Sequence, residues 1–247
     1  MLQEQQGYRW AVAELRQRQK TNKGAPAYSR FVNRPLGRRL AALAYLLRLT
    51  PNGVTGISAL CTAGGLAVIA LLEPSFGSSL LITALLVLGY ALDSADGQLA
   101  RLQGSGSAAG EWLDHIVDAI KTAALHAMVL ISWYRFYPVE GAWYLVPIAY
   151  QVVACSLFFS MILTDQLRRL NSGRTGHYLQ GQGKSSALYS LAVVPTDFGL
   201  ICLAFLTLWL PSVFIPVYVL LLLANAGFLA LALGKWYREV KGLGQSA

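Results

Sequence analysis

Apolar residues in this chain are gathered into long blocks separated by short polar stretches. Six blocks reach the ~20 residues a helix needs to cross a hydrocarbon core: 54–72, 79–100, 112–133, 143–163, 187–210 and 213–233. The second, third and fifth carry Asp, which blurs their ends. Ahead of them, 31–49 reads "FVNRPLGRRLAALAYLLRL". After Pro35 its Arg, Leu, Ala and Tyr fall at helical spacing, which predicts an amphipathic helix in the membrane interface. "TPNG" breaks that helix, since a residue before proline disfavours the helical region. Asn52 or Thr55 is placed to cap the helix that follows. Residues 1–30 are polar and rich in Gln, Lys and Arg, and nothing in them requires packing. No short apolar run follows the polar start, so no signal peptide is expected.

The expected architecture is an all-α integral membrane protein, six transmembrane helices preceded by an amphipathic interfacial helix. It divides into a cytoplasmic tail with the interfacial helix, 1–49, and a six-helix transmembrane domain, 50–247. Composition agrees: 55% of residues are hydrophobic and 13% charged, against roughly a quarter charged in soluble domains. Lys and Arg cluster before the first block, at Arg101, at Arg168, Arg169, Arg174 and Lys184, and at Lys235, Arg238 and Lys241. The opposite side holds Arg135 alone. By the positive-inside rule both termini face the cytoplasm. The net charge of +8 then forms a collar facing anionic headgroups. It tracks the block ends, which argues against a nucleic-acid partner. Cys61, Cys155 and Cys202 lie in apolar blocks and read as packing residues.

Chemistry enters with four carboxylates. Asp93 and Asp96 are three apart near the end of the second block, and Asp114 and Asp118 are four apart near the start of the third. Each pair shares a helix face, and the short "GSGSAAG" connection lets antiparallel neighbours aim both at one point. Such a cluster costs at least ~2.5–3.5 kcal/mol per charge at mid-membrane, so it requires compensating cations. Hard oxygen ligands suit Mg²⁺, Mn²⁺ or Ca²⁺, and Mg²⁺ commonly bridges carboxylates to phosphates. Gly97 lets a bulky group approach, and Arg101 offers a planar fork to a phosphate. Asp165 and Glu111 read as interfacial charges.

Asp93-x2-Asp96-Gly97-x2-Ala100-Arg101-x8-Gly110-x3-Asp114-x3-Asp118 resembles, position for position, the signature of the CDP-alcohol phosphotransferase family. "LTPNGVT" is similar to an element many members carry before their first span. The resemblance covers the segment from there through Asp118; beyond it only hydropathy corresponds. It implies transfer of a phosphoryl-alcohol unit, phosphatidyl foremost, from a CDP-alcohol to a hydroxyl acceptor with release of CMP. It further implies Mg²⁺ or Mn²⁺ on Asp93, Asp96, Asp114 and Asp118, with Asp118 as general base. Gly97, Ala100, Arg101 and Gly110 would line the nucleotide pocket, with Asn52 and Thr55 beside them. The implied setting is phospholipid synthesis by a homodimer, with CDP-diacylglycerol as the leading donor.

The acceptor side is less determined. Lys121, three residues beyond Asp118, can face the same cavity, while Arg168, Arg174 and Lys184 border its mouth. Together they suit a phosphorylated acceptor such as inositol phosphate or glycerol phosphate. The same loop basics also read as a positive-inside collar. Asp197, near helix-opening Pro195, either lines the cavity or pairs with Lys121. His115, His126 and His177 read as packing or loop residues. "YSRFVNRPLGRRLA" is similar to the N-terminal region of members that handle inositol phosphates, including enzymes that join CDP-inositol to inositol phosphate. Two competing readings remain: a membrane prenyltransferase, which also uses Asp pairs on a diphosphate, and a cation transporter.

Overall fold

The computed structural model describes residues 7–19, 26–172 and 194–243. All regular structure among them is helical. Helix α1 is Tyr8–Gln17, α2 Arg34–Leu46, α3 Pro51–Leu71, α4 Phe76–Gln103, α5 Ala108–Phe136, α6 Leu145–Ser172, α7 Phe198–Ala204 and α8 Pro211–Leu243. A wider helical turn, Ser29–Asn33, leads into α2.

Among the described residues, five helical stretches are long and apolar enough to cross a membrane: Pro51–Leu71, Phe76–Gln103, Ala108–Phe136, Gly141–Asn171 and Pro211–Leu243. They correspond to five of the six expected spans. Of the remaining one, 187–210, residues 187–193 lie outside the described residues, and the rest forms the short apolar helix Phe198–Thr207. The large apolar side chains left exposed, such as Leu60, Phe159 and Leu231, suit a lipid environment. The protein is thus an integral membrane protein by length and composition of its helices.

Helix ends follow local chemistry. Thr50, rather than Asn52 or Thr55, caps α3: its hydroxyl accepts from the Gly53 N–H at 3.1 Å, with Pro51 in the first turn. Proline is well placed there because its missing N–H would have had no helical partner. Ser75 and Ser78 form a reciprocal cap on α4. That helix ends on Gly104, left-handed at φ 63°, a conformation glycine adopts without penalty. Ser107 then caps α5 by accepting from Gly110 N–H at 3.1 Å. The two acidic helices are therefore joined by a tight, defined turn.

Small residues let α3 and α4 approach closely. A Cβ on Gly65 would meet Leu86 at 3.0 Å, and one on Gly89 would overlap Thr62. Ser58 Oγ donates to the Gly89 carbonyl at 2.8 Å. One core, around Leu86, Leu125, Trp133, Phe205, Phe214 and Tyr218, fills the bundle. A second joins α1, α2, α3 and α4 through Ala11, Leu15, Ala41, Val54, Ala95 and Leu99.

That second core corrects the reading of residues 1–30 as a tail with no packing role. Ala11 and Leu15 are fully buried. Four apart, they form a stripe too short to stand out from the surrounding charges, and it becomes significant only where α2 and α4 supply its other wall.

Candidate active site

The turn between α4 and α5 folds the acidic faces together. Ligand oxygens of Asp93, Asp114 and Asp118 all lie within 4.8 Å of one another. Three hard oxygen donors at that spacing have the chemistry of a divalent-cation site.

Asp96 sits apart from this trio. It is 6% exposed. Its Oδ2 accepts from Thr55 Oγ1 at 2.5 Å and its Oδ1 from the Gly97 N–H at 2.5 Å. Both oxygens are thereby held toward α3 and the helix backbone. Of the four carboxylates expected to hold divalent metal, three converge and Asp96 also engages Thr55. Thr55, expected beside the nucleotide, donates its hydroxyl to Asp96.

The cation already among the acids is Lys121. Its Nζ pairs with Asp118 Oδ1 and lies 3.7 Å from Asp93 Oδ1. The Phe198 and Tyr90 rings flank it, with centroids 4.8 and 5.9 Å from Nζ. An ammonium against aromatic faces gains from the ring quadrupole, so Lys121 is held by two carboxylates and two rings.

The residues expected around the nucleotide meet in two pairs. A Cβ on Gly97 would stand 3.6 Å from Arg101 Nη1, so the guanidinium folds back over the bare glycine. A Cβ on Gly110 would stand 3.2 Å from Asn52 Oδ1. The start of α3 thus meets the start of α5 at Asn52 and Gly110, while Gly97 and Arg101 meet within α4. Ala100 lies in the same last turn of α4, half-buried.

The acceptor-side residues are dispersed. Arg174 and Lys184, like His177, lie outside the described residues. Arg168 is 7% exposed and makes a two-pronged pair with Glu239 of α8, at 2.7 and 2.6 Å. That pair ties α6 to α8 and occupies the fork expected at a phosphate. Asp197 does not pair with Lys121 either. It caps α7 through the Gly199 N–H at 2.9 Å, and accepts from the Ser29 N–H at 2.7 Å and Tyr90 hydroxyl at 3.2 Å. Three donors satisfy its carboxylate without a lysine. Asp165, expected as an interfacial charge, is 4% exposed. Arg169 bridges it to Glu111, at 2.9 and 2.7 Å. Asp165 and Arg169 are four apart on α6, a spacing visible in the sequence, but Arg168–Glu239, Arg169–Glu111 and Asp197–Ser29 join segments far apart in the chain and leave no spacing signal.

His126 behaves as a packing residue. It is 3% exposed, meets the Tyr218 hydroxyl at 2.6 Å through Nδ1, and stacks on Tyr150 at 4.0 Å. The three cysteines are free, with Cys202 buried.

Comparison with known proteins adds two findings. The sequence model of the family described as CDP-alcohol phosphatidyltransferase matches residues 48–234. A phosphatidylinositol phosphate synthase of Corynebacterium glutamicum is 32% identical over 123 residues, which cover 50% of this chain and 53% of that protein. The match therefore spans about half the length of that relative. Neither name refers to a prenyl diphosphate or to ion transport.

Proposed function

We propose, because this chain belongs to the CDP-alcohol phosphatidyltransferase family, that it moves a phosphatidyl group from a CDP-alcohol to an acceptor hydroxyl and releases CMP. One observation carries the reading: three carboxylates on two adjacent membrane helices converge within 4.8 Å of one another. The same relation supports treating 50–247 as the transferase domain and 1–49 as its N-terminal attachment.

The donor set fits Mg²⁺ or Mn²⁺, which Asp93, Asp114 and Asp118 would hold, with Asp96 steadying the site's edge through Thr55. When bound there, such an ion shields the diphosphate's negative charge. The remaining work falls to side chains. Arg101 keeps the nucleotide's phosphate in place with its remaining N–H groups. Gly97, Ala100 and Gly110 keep the wall low enough for the nucleotide, and Asn52 offers an amide at the rim. Asp118 accepts the acceptor hydroxyl's proton as that oxygen attacks the phosphorus bearing the alcohol. The bond from that phosphorus to the bridging oxygen breaks, and CMP leaves with the electron pair. Lys121 balances Asp118 and Asp93 within the cavity and presents the nearest cation to an acceptor phosphate.

The relative's name, phosphatidylinositol phosphate synthase, supports CDP-diacylglycerol as donor and an inositol phosphate as acceptor. Arg174 and Lys184 stay on the acceptor side of the proposal by their charge. Arg168 and Asp197, engaged with other partners, take supporting roles at its edge. The basic block ends support a cytoplasmic site and cytoplasmic termini. The apolar part of α6 is only 11% buried within the chain, which leaves a face for the second copy of a homodimer.

The test is CMP release by purified protein in detergent with Mg²⁺. CDP-diacylglycerol and CDP-inositol serve as donors, and inositol phosphate, glycerol phosphate and free inositol as acceptors. CMP should appear with CDP-diacylglycerol and a phosphorylated acceptor. Release with CDP-inositol alone would move the reading to a soluble donor, and none with any donor would remove it.

A further inference from the structure

Helix α1 ends against the last turn of α4, and the contact is reciprocal. Arg18 Nη1 donates to the carbonyls of Arg101 and Leu102 at 3.1 and 3.4 Å. Arg101 Nε donates back to the Arg18 carbonyl at 3.1 Å. Each helix thus has its C-terminal carbonyls met by the other's arginine. Those carbonyls have no intrahelical donor and carry the negative end of the helix dipole, so cations are favoured there.

Neighbouring side chains lock the arrangement. Glu14 Oε1 accepts from Arg18 Nε at 2.6 Å. Gln19 Nε2 donates to Gln98 Oε1 at 2.7 Å, and Gln98 Nε2 donates to the Arg34 carbonyl at 3.2 Å. Beneath them Leu15 and Ala11 are buried against the α2 and α4 core.

We propose that α1 is a positioning clamp for Arg101: by taking its Nε, the helix fixes the guanidinium over Gly97 and directs the remaining N–H groups to the nucleotide's phosphate. An unclamped arginine must surrender rotamer freedom each time it binds. The clamped one is ordered beforehand. The inference rests on the proposed nucleotide role of Arg101.

A double-mutant cycle tests it. Leu15→Asp undocks α1, Arg101→Ala removes the clamped group, and the pair is combined. CMP dissociation constants are measured for all four proteins, and Michaelis constants for donor and acceptor wherever turnover persists. Leu15→Asp should weaken CMP binding and raise the donor KM on the order of tenfold, the scale of one charge-assisted hydrogen bond. The acceptor KM should stay unchanged. In the Arg101→Ala background Leu15→Asp should add nothing, because coupled residues are not additive. Arg18→Ala keeps the apolar docking and the backbone carbonyl, so it should produce a smaller loss of the same kind. Equal losses from Leu15→Asp in both backgrounds, or donor and acceptor constants that move together, would overturn the clamp alone. Wild-type protein that neither binds nor releases CMP would overturn the proposed function, and the clamp with it.

Discussion

Replacing Lys121 with Met keeps most of the side chain's length and removes its charge. The Lys121 side chain is 9% exposed, against 17% for Asp93 and 24% for Asp118. Its loss leaves three carboxylates with oxygens inside 4.8 Å and no ammonium between them. Breaking a buried ion pair costs ~3–5 kcal/mol. The partial exposure of both acids lets solvent screen them, so we take ~2–3 kcal/mol. For a chain of this size each kcal/mol moves the melting point by ~2–4 °C, which gives a fall of roughly 4–12 °C. A divalent cation at a hundred times its dissociation constant returns ~2.7 kcal/mol. The variant should therefore melt well below wild type in chelator and recover most of the gap in excess Mg²⁺. Tryptophan fluorescence melts in detergent, at a fixed scan rate, read this directly. Equal melting in chelator would show that Lys121 does not neutralise the acids. A gap that Mg²⁺ leaves untouched would show that the trio binds no metal.

Asp118→Asn should lower turnover by at least ~10²-fold, the usual scale for losing a general base, while CMP still binds; parallel loss of CMP affinity would remove the base assignment. Thr55→Val keeps the shape and deletes the donor to Asp96, so stability should drop by ~1.5–3 kcal/mol, measured by thermal melting. An unchanged melting point would mean that Asp96 is held by other groups. Tyr218→Phe removes the partner of His126 in the bundle core, and should cost ~1–3 kcal/mol of stability with kcat and KM unaltered. A kinetic change there would tie the bundle core to the site.

The acidic motif was legible because its determinants are local. Asp93 to Asp118 sit on two consecutive helices joined by one short turn, so spacing alone puts them on facing surfaces. Thr55 was singled out for the nucleotide, but its contact with Asp96 was not foreseen, since it crosses 41 residues. The packing of the N-terminal helix was missed because Glu14, Arg16 and Arg18 dominate its composition while only Ala11 and Leu15 enter the core. Arg168 and Asp197 were assigned by charge. Glu239 and Ser29, which hold them, lie 71 and 168 residues away.

Composition and block length were enough to establish a helical membrane protein, because a lipid interior demands long apolar segments with every backbone group paired inside the segment. Residue spacing was enough to bring out the four acids, because helical geometry is a property of the local chain. Which three of them converge, that Lys121 also reaches Asp93 on the neighbouring helix, and that α1 holds Arg101 were decided by tertiary contacts. Those depend on where distant helices cross, and no periodicity within a single helix encodes the side chain it will meet on another.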